Sequence, residues 1–244
     1  MNDLTRAKFG ICAVALVLGT ALFTVQIEGE RQRVLMKGHD ASKPIHYRFP
    51  FPEEFRGMVT SWIYIEADRY FHQEKWDRIV PLFRARATLD PALTDSWSTG
   101  AWHLAFNLSE EAKSPDEKMK FIQQGVRFLE EGIRKNPDVA HLYFDLAWTY
   151  YMRLGDFNKA TQNFKTAFTI KPDLATAIWL TYLYEKQGRF EDAMRVWEKY
   201  IAHFPNDPRA LDRFGKAYAR ARRNQKININ ELVAGERKTL LSKG

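Results

Sequence analysis

Residues 9–27 read FGICAVALVLGTALFTVQI, a run of 19 positions without a charge, broken only by Thr20, Thr24 and Gln26. At about 1.5 Å per residue, a helix of this length approaches the bilayer's hydrocarbon core, which takes roughly 20 residues. No other uncharged apolar run comes near that length. Residues 28–59 follow no apolar period and carry Gly29, Gly38, Pro44, Pro50 and Pro52. From residue 60 apolar positions return at helical spacing, in short blocks closed by Gly, Asp or Pro. The pattern predicts a short tail over 1–8, a transmembrane helix over 9–27, a Pro/aromatic linker over 28–59, an all-α region over 60–223 and a basic tail over 224–244.

Two readings of the apolar run compete. Arg6 and Lys8 would serve a cleaved signal peptide as its basic region. Such a signal has an apolar stretch of only about 7–15 residues and a small-residue cleavage site, and no clear A-x-A follows here, so an uncleaved anchor is favoured. Cys12 stands early in the run, where a lipidated cysteine would follow it, and reads as a small apolar residue of the span. Bases flank the run on both sides, Arg6 and Lys8 before it and Arg31, Arg33, Lys37 and Lys43 after it, so the positive-inside rule does not orient it. A short N-tail before one span is the usual layout of an anchor with an exported domain. The protein is therefore expected in a membrane, single-pass, with its soluble part extracytoplasmic. Within the linker, residues 44–52 read PIHYRFPFP, an extended aromatic strip. It is either a connector packed on the first helix pair or a docking peptide for its own or another molecule's groove.

The 60–223 region repeats itself. Gly155, Phe157, Ala160, Phe164 and Ala167 are matched 33 residues later by Gly188, Phe190, Ala193, Trp197 and Tyr200. Pro172 and Pro205 close these blocks, and Pro137 closes a similar one upstream. Tyr143, Leu146, Ala147 and Tyr150 form the spacing of a preceding helix, with one extra residue before Gly155. Ala177, Leu180, Thr181 and Tyr184, then Leu211, Phe214, Gly215 and Tyr218, fill the same places further on. This resembles the tetratricopeptide repeat (TPR), a unit of helix, turn and antiparallel helix. Two more divergent units lie upstream. One pairs helices around 62–71 and 76–88, with Pro81 expected to start or bend the second. The other spans 95–137 with Trp97, Gly100, Gly125, Leu129 and Gly132; about a dozen residues are inserted there, expected mainly at 108–115, and Ser114 or Asp116 could cap the helix that follows. The resemblance implies a TPR-like α-solenoid of about four helix pairs plus a terminal helix, in which stacked units share one core. Alanines 147, 160, 167 and 193 would let its helices approach.

In the TPR family the first helix of each unit lines an inner groove. Its positions, laid on this chain, give Tyr64, Asp68, Phe71 and His72, then Asp95, Trp102 and Phe106, then His141, Phe144, Trp148, Tyr151 and Met152, then Ile178, Tyr182 and Lys186. The resemblance thus implies a partner-binding groove of Tyr64, Phe71, Trp102, Phe106, Phe144, Trp148, Tyr151 and Tyr182. Each ring also has interlayer packing as a role. Phe144, Trp148 and Tyr151, however, share a face opposite Tyr143, Leu146, Ala147 and Tyr150, and a helix apolar on both faces wants a partner on each. An aromatic groove suits a protein partner presenting an apolar helix or a Pro/aromatic peptide. It argues against the TPRs that clamp an acidic chain end, because Trp, Phe and Asp stand where Lys, Arg and Asn are expected.

Charge and composition narrow the rest. Of 37 Lys and Arg against 30 Asp and Glu, the whole excess of +7 lies after residue 208, and it includes Arg209, Arg213, Lys216, Arg220, Arg222 and Arg223. That basic patch reads as the polar end of a solenoid, as a contact with anionic lipid or as a docking point for an acidic protein; nucleic acid is not expected. The six histidines never stand three or four apart, and no P-loop, G-x-S-x-G or G-x-G-x-x-G occurs. One cysteine excludes an intrachain disulfide. No catalytic residue, metal or cofactor is therefore expected, and the Asn107-Leu-Ser109 sequon is a pattern common by chance. The sequence as a whole reads as a non-enzymatic, membrane-anchored TPR scaffold or adaptor in an envelope, secretion or pilus-type assembly. The alternative is a fixed structural or accessory subunit of a larger membrane complex, a membrane enzyme included.

Overall fold

The computed structural model describes residues 3–35 and 53–223, with side chains from residue 19 in the first stretch and from residue 54 in the second. The strip at 44–52 and the tail 224–244 lie outside the described residues. Among the described residues the chain is helical and has no strand. It forms two compact units, Met1–Gly155 and Asp156–Gly244.

The first unit holds α1 (Asp3–Leu35), a short 3-10 turn (Glu53–Phe55), α2 (Arg56–Phe71), α3 (Trp76–Leu89), α4 (Thr94–Trp102), α5 (Pro115–Lys135) and α6 (Ala140–Thr149). Helices α4 and α6 each continue into a π-helical turn, His103–Leu108 and Tyr150–Leu154. Successive helices pack on one another from α2 to α6. The second of these π turns accounts for the extra residue before Gly155: a π turn takes one more residue than an α turn.

Helix α1 differs from expectation at its C-terminal half. It runs to Leu35, eight residues into the segment read as an aperiodic linker, and packs on α3. Phe23, Ile27, Glu30 and Val34 make the contact stripe at spacings of four, three and four. Phe23 is buried in one cluster with Ile63, Ala67, Ile79 and Phe83, and Ile27 packs against it. The stripe was hidden in the sequence because a carboxylate occupies one of its four positions. Arg84 of α3 pairs with Glu30 at 2.7 Å, both side chains being at most 10% exposed, and also reaches Glu131 of α5 at 3.5 Å. The Arg84 guanidinium further lies 4.5 Å from the centre of the Phe128 ring. Burial pushes the Glu30 carboxyl up against the pull of Arg84. Arg31 and Asp77, 2.7 Å apart, add a second link between the helices. Among the described residues no helix is long and apolar enough to cross a membrane; of the span expected at 9–27, only 19–27 have described side chains.

The 95–137 unit also departs from its outline. Helix α5 has 21 residues where α3 has 14, so seven of the inserted residues lengthen that helix by two turns rather than enlarging the 108–115 loop. Ser114, not Asp116, caps it: its side chain accepts from the Glu117 N–H at 3.2 Å. Pro81, expected to start or bend α3, does not start it but sits inside it, buried. Helices α4 and α5 lie so close that a Cβ on Gly125 would stand 2.9 Å from the Ala101 carbonyl oxygen and from the Ala105 Cβ.

The second unit holds α7 (Phe157–Ile170), α8 (Leu174–Lys186), α9 (Phe190–His203) and α10 (208–223). Asp156 and Asp173 cap α7 and α8, each accepting at 3.0 Å from the N–H three residues on. Gly188 turns the chain from α8 into α9 at φ 71°, a conformation that a side chain would strain. Ala160, Phe164 and Ala167 of α7, Ala177, Leu180 and Leu183 of α8, and Ala193 and Trp197 of α9 are all buried. Small and large side chains thus alternate as helix-on-helix packing requires.

Candidate functional site

The first unit has a cavity of about 340 Å³ lined by Phe71 at the end of α2, Ser98, Thr99 and Trp102 of α4, His103 and Phe106 of its π turn, Leu129 of α5, and Asp145, Trp148 and Thr149 of α6. Four of the rings expected in a groove meet here: Phe71, Trp102, Phe106 and Trp148. Trp102 and Phe106 stack with centres 4.1 Å apart and planes 12° from parallel. Phe71 and Trp102 remain 47% and 49% exposed, so the cavity opens past two half-covered rings.

The others lie elsewhere. Phe144 and Tyr151 stand on the two sides of Trp148, at 6.5 and 5.9 Å, and do not line the cavity. Tyr64 packs edge-on against Phe83 under the Arg86 guanidinium. Tyr182 belongs to the second unit, where it meets Trp179 and Lys186.

The first π turn lines this cavity with His103 and Phe106, and the second begins just after the lining residue Thr149. An α-helix would place the residues after Trp102 and after Thr149 about one position out of phase. In the wide turns His103 faces inward among Phe71, Trp76 and Phe83, with ring centres 5.4–6.0 Å away. Arg153 lies 5.1 Å from the centre of the Phe106 ring, donates to the Ser109 hydroxyl at 2.6 Å and pairs with Glu110. The Ser109 hydroxyl in turn donates to the Ala105 carbonyl, so this sequon residue is committed to packing.

Two titratable groups give the cavity its polarity. Burial pushes His103 down to about 4, which makes it a neutral ring at ordinary pH. Burial pushes the Asp145 carboxyl up, against the opposing pull of the neighbouring Ser98 hydroxyl and His141. The His103 Nδ1 is buried without a hydrogen-bond partner among the described residues. Sequence reading missed Ser98, Thr99, His103, Asp145 and Thr149 as cavity residues. The available signal was Asp145, the one acid among the ten residues of α6.

The basic side chains of the second unit are largely engaged. Arg209 pairs with Asp207 at 2.9 Å, Lys216 with Asp212 at 2.6 Å and Arg220 with Glu185 at 2.6 Å. Arg213 lies over Trp197 and Arg222 over Tyr218. Arg223 is exposed. Among the described residues no group of His, Cys, Asp and Glu could hold a metal ion.

Residues 140–174 and 174–221 match models of the tetratricopeptide repeat. Tetratricopeptide repeats are present in this chain. TTC0263, a thermophilic TPR protein of Thermus thermophilus, is similar at 19% identity over 66% of this chain and 81% of its own, with a TM-score of 0.48. A crystal structure of MamA is similar at 16% identity over 70% of this chain and 86% of its own, also at 0.48. No curated protein matches. TPR repeats serve generally as scaffolds for protein–protein interaction, and they suggest that this chain binds protein partners.

Proposed function

We propose that this chain is a non-enzymatic scaffold whose first unit holds a partner protein's apolar helix or Pro/aromatic segment in the Phe71, Trp102, Phe106 and Trp148 cavity. The observation that carries this reading is the exposure of Phe71 and Trp102 beside an open cavity. Large rings left half in water at a concave site are the usual mark of a recognition surface. The scaffold is attached to a membrane through the apolar N-terminal part of α1, with its soluble part extracytoplasmic, in an envelope, secretion or pilus-type assembly. Because Phe23 and Ile27 pack on the helical repeats, 14 uncharged residues (9–22) remain to enter lipid, about 21 Å of helix.

Photo-crosslinking in intact cells from a reactive side chain at Trp102 tests the groove. A discrete protein adduct, lost when Trp148 is replaced by Ala, is the expected result; adducts unchanged by that replacement would point to a different surface. For the attachment, a chain lacking residues 3–22 should leave the membrane fraction on alkaline extraction of cells.

One observation favours a second reading, a fixed subunit of a larger membrane complex. The Glu30–Arg84 and Arg31–Asp77 pairs clamp α1 to α3, which a freely tethered adaptor would not need. Exchanging residues 3–22 for an unrelated anchor separates the two: an adaptor keeps its function and a fixed subunit loses it.

A further inference from the structure

We propose that the cavity accepts the charged end of an arginine or lysine side chain carried by the partner segment, an inference that rests on the groove reading above. Asp145 lines the cavity, and no lysine or arginine lies within ion-pair distance of it among the described residues. A mostly buried carboxylate ordinarily recruits a counter-charge. His103, the other titratable group of the cavity wall, supplies none because burial keeps its ring neutral, and the one charge acting on Asp145 among the described residues is His141, one turn back on α6 and outside the cavity lining. The chain's own guanidinium in this region, Arg153, is occupied by Ser109 and Glu110.

The rest of the wall suits a cation. Phe71, Trp102 and Trp148 present π faces and edges, and a positive group held over such a face is attracted by its quadrupole, the more so when water is excluded. Arg153 over Phe106 of the wall itself and Arg86 over Tyr64 show the same chemistry within this unit. The unpartnered His103 Nδ1 offers a hydrogen-bond acceptor for an N–H of the incoming side chain when the ring carries its proton on Nε2. An acidic partner, by contrast, would set its carboxylate against Asp145. Three open aromatic rings, one carboxylate without a lysine or arginine partner and one unpartnered ring nitrogen select a positively charged hydrogen-bond donor over a purely apolar side chain.

The test uses the full chain and a pair of acetylated, amidated pentapeptides, Pro-Phe-X-Phe-Pro, with X either arginine or its uncharged isostere citrulline. Tryptophan fluorescence reads the titrations. The arginine peptide should bind about tenfold more tightly, and Asp145→Asn should shrink that preference to about twofold. Equal binding of the two peptides to the unaltered protein would overturn the cation site and leave the groove standing. Failure of both peptides to bind, or binding untouched by Trp102→Ala, would overturn the groove reading and this inference with it. Because the peptide comparison is made on the unaltered chain, it decides the matter even if Asp145→Asn does not fold. With a folded Asp145→Asn, a full tenfold preference retained would show that the cation is held elsewhere.

Discussion

Glu30 of α1 and Arg84 of α3 are joined at 2.7 Å with their side chains 7% and 10% exposed, so the helix that carries the apolar N-terminus is fastened to the first repeat by an ion pair withdrawn from water. Breaking one side of such a pair strands the other charge, at a cost of about 3–5 kcal/mol. Glu30→Ala should therefore lower the urea midpoint of the first unit strongly, while Glu30→Gln with Arg84→Met should recover most of the loss. A shift below about 1 kcal/mol for Glu30→Ala would mean that α1 is not held this way.

His103 makes the stability of this unit depend on pH. Its folded value of about 4 is lower than the 6.5 of an open chain, so between those limits the unfolded state binds the extra proton. The contribution of this group is then fully present above pH 6.5 and is lost as the pH drops toward 4, by about 3 kcal/mol in all, while the raised Glu30 and Asp145 carboxyls act in the opposite sense. His103→Phe keeps the ring stack and removes the titration. The difference between denaturation midpoints at pH 7 and pH 4.5 should be smaller in the variant; equal differences would count against a buried neutral imidazole.

Gly125 marks a close approach of α5 to the backbone of α4. A methyl group there would press on the Ala101 carbonyl and the Ala105 methyl at 2.9 Å, with backbone on one side and no flexible side chain to give way. Gly125→Ala should cost about 1–3 kcal/mol despite the better helix propensity of alanine, read as a lower melting temperature. Unchanged or raised stability would show that the helices stand further apart.

The π turn at Tyr150–Leu154 can be tested by subtraction. Deleting Met152, which is about half exposed, restores the four-residue spacing found between Tyr184 and Gly188. The shortened chain should keep its helical circular dichroism but lose the Arg153 contacts to Ser109 and Phe106, and with them any peptide binding in the cavity. Binding that survives the deletion would show that the wide turn is incidental to the site.

Much of the fold could be read in advance because it is written in spacing. The 33-residue offset, the prolines 137, 172 and 205 and the buried alanines 147, 160, 167 and 193 all answer to helix periodicity, which depends on local sequence. What stayed hidden depends on partners distant in the chain. Glu30 looked like the start of a linker until Arg84, 54 residues on, neutralised it. The inserted residues near 110 looked like loop because nothing local says that α5 should gain two turns. The cavity was half legible: Phe71, Trp102, Phe106 and Trp148 stand at groove positions, whereas His103 follows Trp102 at the end of α4 without any apolar signal of its own, and Asp145 gave one charge in an apolar helix as its only sign.

A single extra amino acid in a helical array ordinarily rotates everything after it by a quarter turn or more. Here the wide turn at 150–154 takes up the surplus before Gly155, and the next repeat makes the same step from Tyr184 to Gly188 with one residue fewer. An insertion of this kind changes the turn that sets Arg153 against Phe106 of the cavity wall. Such a chain can acquire a new specificity by a one-codon slip without rewriting the rest of its architecture.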